Sequence, residues 1–191
     1  MLTEKQKMIA GLDYIQSDPE LVADRNRAKA LCFKISQTCP TDRATHQALM
    51  SNIIGYKTEA WVEPPFYCDY GYNIRLGNNF YANHGCVILD CAPVTIGDNC
   101  LLAPNVVIAS PGHPLDPVER AYGAEFAKPV TIGKDVWLGA NVTVCPGVSI
   151  GNNVVVGAGS VVVKDLPDNS VCVGVPAVKI RDITERNSET K

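Results

Sequence analysis

The sequence predicts a mainly β protein wound as a three-sided parallel β-helix, and three observations carry that expectation. First, Ile132, Leu138, Val144, Ile150, Val156 and Val162 recur every six residues, and the residue four further on is small or aliphatic each time (Val136, Val142, Val148, Val154, Ser160, Leu166). Second, the same period runs upstream through Leu76, Ala82 and Ile88, and again through Ile96, Leu102 and Ile108. Third, Ile132-Gly133 returns as Ile150-Gly151 after 18 residues, three hexapeptides later. An amphipathic helix cannot keep this beat, because positions i and i+6 do not share a 3.6-residue face. Sandwich strands recur at wider intervals of about 8–12 residues. A fixed short period marks a solenoid whose coils bury their aliphatic residues against one another.

Residues 1–55 predict a helical segment. Thr3 and Gln6 form a capping-box pattern ahead of Met8 and Ile9, and Asp18-Pro19 supplies a cap and a first-turn proline. The segment that follows lines up Leu21, Ala28, Leu31 and Ile35. Thr41 opens a third helix through Leu49 and Ile53, which Gly55 closes. Coils occupy 56–178, with Gly-Asp-Asn (97–99), Gly-Lys-Asp (133–135) and Gly-Asn-Asn (151–153) at turns that favour left-handed backbone. The Leu76-to-Ile96 coil carries two extra residues near Ala92-Pro93. The beat fails once, between Ile108 and Ile132, which predicts a protruding loop around residues 110–130. Residues 179–191 form a polar tail. The outward positions Val87, Leu101, Val107, Trp137, Val155 and Val161 are too apolar to stay in water. They predict cover by the chain's own helices or, preferably, by other subunits.

A 191-residue chain that is 46% hydrophobic and 19% charged suits one globular domain. Its net charge of −3 offers no basic footprint for nucleic acid. The absence of an 18-residue apolar run argues against a membrane span, and the polar start MLTEKQK against a secretory signal. The eight cysteines contain no Cys-x-x-Cys, and Cys86, Cys100 and Cys145 fall where the repeat wants small residues. Free thiols in a reducing, cytoplasmic setting are expected.

Function is expected where the rigid repeat is interrupted. That excursion carries Ser110-Pro111-Gly112-His113-Pro114, and His113 is one of three histidines. The chain here resembles the hexapeptide-repeat acetyltransferases, in particular the maltose and galactoside O-acetyltransferases. The resemblance rests on Thr3 to Gly11, Cys68 to Ile74, Gly77 to Asn83, Gly112-His113-Pro114, Lys128 to Gly133, and Val136 to Gly139. It implies a left-handed coil, a homotrimer with active sites between subunits, and acetyl transfer from acetyl-CoA to a sugar hydroxyl, with no metal. A hydroxyl needs a base before it attacks a thioester, and an imidazole suits that task.

By the resemblance, His113 is the catalytic base and Asn83 holds the acceptor or steadies the tetrahedral intermediate. A backbone N–H near Ala140 stabilises the oxyanion. Transfer is expected to be direct, because no nucleophile stands beside His113 in the motif; Cys86 and Cys91 are read as packing. Asp18, Arg25, Asp69, Tyr81 and Glu125 fall at acceptor positions, although an ungapped match puts Gln16 in place of Asp18. Asp90 matches the first of two acidic residues in the galactoside enzymes, and Cys91 replaces the second. Asn83, Trp137, Ala140, Ala158, Val163, Lys164, Val178 and Arg181 fall along the CoA cleft, with Val163 where threonine is usual and Val178 where some relatives have arginine. Another hydroxyl acceptor, xenobiotic or serine, competes with sugar. A γ-class carbonic anhydrase would need three zinc-binding histidines, and only His84 and His113 lie in the coil region. A non-catalytic interaction module is the remaining alternative.

Overall fold

Residues 1–183 are described by a computed structural model, in which helices α1 (Glu4–Ile9), α2 (Pro19–Gln37) and α3 (Arg43–Ile54) precede a left-handed parallel β-helix. Three sheets form the faces of a prism. The first stacks the strands Ile74–Leu76, Val94–Ile96, Val130–Ile132 and Ser149–Ile150; the second runs from Trp61–Val62 to Ser170–Gly174; the third runs from Tyr67–Cys68 to Val161–Val162. Register follows the hexapeptides: Ile96 lies beside Ile132, and Ile132 beside Ile150. Ile132, Leu138, Val144, Val156 and Val162 are all buried. Among the described residues, no helix is long and apolar enough to cross a membrane.

The helices close the lower end of the prism. Ala28, Cys32 and Ile35 of α2 and Met50, Ile53 and Ile54 of α3 join one continuous core with Val62, Phe66 and the coil interior. Thr3 and Gln6 complete the capping box, and Asp18 caps α2 ahead of Pro19. Asp42, rather than Thr41, caps α3: its carboxylate accepts the Thr45 N–H at 3.1 Å, whereas the Thr41 hydroxyl lies against Cys39 Sγ. A carboxylate one residue nearer the helix outcompetes the hydroxyl for the exposed amides. Cys32, rather than Leu31, takes the fully buried place on α2, and Leu31 is only partly covered.

The corner between the first and second faces is a ladder of left-handed residues. Asn79, Asn99, Asp135, Asn153 and Asn169 all have φ between 52° and 59°. Asn79 donates to Asn99 at 3.0 Å, and Asn99 to Asp135 at 2.9 Å. Gly97 stands above Gly133, where a Cβ would lie 2.8 Å from the next coil's backbone, so only glycine permits this stacking. This corner and the next, between the second and third faces, keep the six-residue step throughout. All departures fall at the third corner, where Cys68 leads to Leu76, Ile88 to Ile96, Ile108 to Ile132, and Val162 to Leu166.

The excursion between Ile108 and Ile132 is itself ordered. It holds a short strand (Pro111–Gly112), helix α4 (Pro117–Tyr122) and a strand (Ala124–Ala127), and the last pairs antiparallel with both Pro111–Gly112 and Tyr14–Ile15. The expected tail also begins later than the sequence suggests. Ala177–Asp182 is a strand that turns back antiparallel onto Ser170–Gly174; residues 184–191 of the expected tail lie outside the described residues. Because the helices occupy the end of the prism, they leave the apolar outer ladders open. Leu101 is 48% exposed and Trp137 51% exposed in the single chain.

His46 on α3 is 5% exposed and stacks on Trp61 with ring centroids 4.4 Å apart, and neither ring nitrogen meets a hydrogen-bond partner among the described residues. Burial holds its pKa below the ordinary 6.5, against the opposite pull of the nearby Val62 backbone and then of Glu63. The folded protein therefore refuses a proton that the unfolded chain accepts, so stability falls as pH drops through the ordinary imidazole value toward the lowered one. Urea unfolding at stepped pH is expected to show this loss below about pH 6.5. His46→Phe, which keeps the stack without a titrating group, is expected to flatten that step.

Candidate active site

The irregular third corner forms a cleft of about 410 Å³, lined by Gln16, Arg25, Lys29, Asp69, Leu89, Cys91, Pro111, His113 and Glu125. Each wall has a simple origin. Arg25 and Lys29 are one turn apart on α2 and therefore share a face. Asp69 and Cys91 occupy corner turns of successive coils. The excursion supplies His113 and Glu125 from segments that flank its helix.

Buried Asp90 braces the floor. Its carboxylate accepts the backbone N–H of Tyr70 at 2.8 Å and of Asn73 at 3.2 Å, while the Asn73 side chain donates to its carbonyl. Burial still pushes its pKa up, with the backbone donors opposing. Tyr70 in turn accepts a 2.7 Å hydrogen bond from Arg25, whose other arm donates to the Gln16 carbonyl at 2.6 Å. Arg25 forms no ion pair among the described residues, and Asp69 does not hold it. On the opposite wall, Tyr14 donates to Glu125 at 2.6 Å, and Cys91 Sγ lies 3.4 Å from both Glu125 and Asp69. Burial, then the neighbouring Glu125 charge among the opposing and reinforcing contacts, lifts Asp69 above the usual carboxylate range. Burial and then Asp69 push the Cys91 thiol far up, so that sulfur stays protonated. A protonated thiol is a poor nucleophile.

His113 is exposed on the cleft rim, with Nδ1 3.4 Å from the Ala124 carbonyl. Such a contact forms only with a hydrogen on Nδ1, which leaves Nε2 as the basic nitrogen. Asp18 stands apart from the cleft. Its carboxylate accepts the N–H groups of Glu20 and Leu21 as the α2 cap, and Gln16 takes the place on the wall. Lys29 was legible only as a partner one turn beyond Arg25. Leu89 and Pro111 carry no sequence signal beyond flanking the corner.

The remaining expected residues gather elsewhere. Asn83, Ala140 and Ala158 lie on the second corner, and Asn83 accepts the His84 N–H at 2.7 Å. Tyr81 and Trp137 stand in one outward ladder on the second face, with Leu101 between them. Val178 and Arg181 belong to the returning strand at the end of that sheet, while Val163 and Lys164 follow the last third-face strand. Within one chain the third face separates Asn83 from His113, so the two expected catalytic residues do not meet. Among the described residues no three His, Cys, Asp or Glu side chains converge as a metal site requires.

Comparison with known proteins agrees with this architecture along nearly the whole chain. A maltose acetyltransferase hexapeptide capping motif matches residues 7–57, the hexapeptide repeat of succinyl-transferase 82–110, and the six-repeat bacterial transferase hexapeptide 129–164. The chain is 42% identical over 183 residues to the galactoside O-acetyltransferase of Escherichia coli, covering 95% of this chain and 90% of that one. A maltose O-acetyltransferase from Clostridium difficile 630 superposes with a TM-score of 0.93 at 43% identity, covering 96% and 99% of the two chains. A galactoside acetyltransferase in complex with coenzyme A superposes with a TM-score of 0.89 at 39% identity, covering 96% and 92%.

Asp90→Ala would leave the buried Tyr70 amide and the half-buried Asn73 amide unpaired beneath the cleft and is expected to cost about 2–4 kcal/mol in denaturant unfolding. Asp90→Asn, which keeps an acceptor oxygen, is expected to cost less.

Proposed function

The chain belongs to the hexapeptide-repeat acetyltransferases of the galactoside and maltose type, and from that premise we propose that it transfers an acetyl group from acetyl-CoA to a sugar hydroxyl. The observation that carries this reading is the cleft itself, where a histidine with a free Nε2 faces a bed of hydrogen-bonding side chains. A sugar offers hydroxyls that both donate and accept. Asp69, Glu125, Arg25 and Gln16 match that pattern from two walls.

The second corner suits the acetyl donor. Ala140 and Ala158 leave it free of bulk, Trp137 offers a half-exposed indole beside it, and exposed Lys164 and Arg181 carry charge that complements phosphates. When bound there, the co-substrate supplies an activated thioester. His113 Nε2 then takes the acceptor hydroxyl proton, Asn83 orients the oxygen, and a corner N–H near Ala140 holds the developing oxyanion. Transfer is direct, because Cys91, the thiol in the cleft, is held protonated.

Asn83 and His113 act together when the second corner of one subunit meets the third corner of the next. The open ladders support that packing. The second face presents Tyr81, Leu101, Trp137 and Val155 outward and the third presents Tyr67, Val87, Val107, Thr143 and Val161, whereas the first presents Arg75, Thr95, Thr131 and Ser149. Apolar faces on both sides of one corner suit a closed homotrimer with inter-subunit sites. The free thiols suit a reducing cytoplasm.

Release of free CoA across maltose, glucose and galactosides tests the activity, and turnover on none of them overturns the sugar assignment. His113→Ala is expected to keep acetyl-CoA affinity while kcat falls about 10²–10⁴-fold, the loss of a positioned base. Asn83→Ala is expected to be slow as well. Static light scattering is expected to give three times the 20.6 kDa chain mass, and a monomer at micromolar concentration would falsify the shared site.

A further inference from the structure

Eight cysteines are spread over the chain, and one pair among them touches. Cys32 Sγ on α2 lies 3.9 Å from Cys68 Sγ on the first strand of the third face, and both residues are buried. Other buried thiols face oxygen instead: Cys86 the Ala103 carbonyl at 3.4 Å, Cys100 the Gly133 carbonyl at 3.1 Å, Cys172 the Ser170 hydroxyl at 3.5 Å. The touching pair stands directly behind the cleft. Cys32 follows Lys29 by one helical turn and Arg25 by two, while Cys68 immediately precedes Asp69. The contact thus joins the helical wall, with its two cations, to the coil wall that holds Asp69.

We propose that Cys32 and Cys68 are a redox clasp, closed to a disulfide by a peroxide-class oxidant, that resets the acceptor cleft. Either sulfur can donate across the contact, so whichever thiol is oxidised first has its partner within reach. The Cys32 thiolate attacks one peroxide oxygen and breaks the O–O bond, giving a sulfenic acid and hydroxide, which leaves as water with the displaced proton. The Cys68 thiol then gives up its proton and attacks the Cys32 sulfur, expelling a second water. Two thiols have lost two electrons and two protons, and one hydrogen peroxide has become two waters. A disulfide holds its sulfurs about 2.05 Å apart, so closure draws α2 toward the coil and shifts Arg25 and Lys29 relative to Asp69. Acetyl-CoA, assigned to the second corner, is left untouched.

The kinetic part of this inference rests on the sugar reading of the cleft; bond formation does not. The test compares the reduced wild-type protein with protein treated with hydrogen peroxide, alkylated, and mapped by mass spectrometry. A peptide linking residues 32 and 68 is expected, with a melting temperature raised by about 5–10 °C. The acceptor KM is expected to change about threefold or more, since a 1 Å misplacement of positioning groups can cost up to about 10²-fold in rate. The acetyl-CoA KM is expected to stay fixed, dithiothreitol to reverse every change, and Cys32→Ala and Cys68→Ala to respond to none of it. Thiols that stay free, a bond between other cysteines, or a mapped 32–68 bond with an unmoved acceptor KM each overturn the clasp. These wild-type measurements decide the matter even if neither variant folds. If the reduced protein acetylates no sugar, the acceptor assignment fails, and the clasp stands or falls on the mapped bond and the melting shift.

Discussion

Each coil has to set its inward side chains above those of the coil below while its strands pair in parallel register, about 4.8 Å apart. That requirement governs the rest of the molecule. It selects aliphatic residues at a six-residue interval and asparagine, aspartate or glycine at the tight corners. It also forbids a Cβ where Gly97 passes over Gly133. A coil that changed length at all three corners would lose register with both neighbours. Length therefore varies at a single corner, where one turn can bulge without moving the strands on either side.

Polar side chains have collected at that corner. Asp69, Asp90 and Cys91 lie in its enlarged turns, and His113 and Glu125 on its long excursion. The regular faces hold the cleft walls rigid, and the irregular corner supplies polar groups that a regular coil would have no room to present. Asp90 shows the division of labour. It is a buried carboxylate whose hydrogen bonds fix a turn, and that turn carries Tyr70, on which Arg25 rests. The arginine is thus positioned by a residue that never reaches the cleft.

Much of this was legible in the sequence, because periodicity reports burial directly. The coils, the three helices, the capping residues Thr3 and Asp18 and the break after residue 108 could all be read from spacing and residue type. What escaped depends on contacts distant in sequence. Gln16 and Asp18 are two residues apart, and only the turn into α2 decides which faces the cleft and which caps the helix. Polar Lys179, Arg181 and Asp182 look like a tail, yet a strand at a sheet edge needs no apolar alternation when one side faces water. The Cys32–Cys68 contact joins a helix to a coil across 36 residues, and no local pattern announces it. Likewise, Asn83 and His113 share the resemblance-based assignment but occupy different corners of one chain.

The returning strand Ala177–Asp182 has a consequence for the free end of the solenoid. A stack of identical parallel coils is a template, and its last coil would offer the first coil of another molecule an edge in matching register. Here the edge of the second-face sheet is occupied by a strand running the opposite way, with a register shift between Val171 and Cys172. The far end is plugged by helices. Head-to-tail pairing of coils is thereby denied a matching strand edge along the second face.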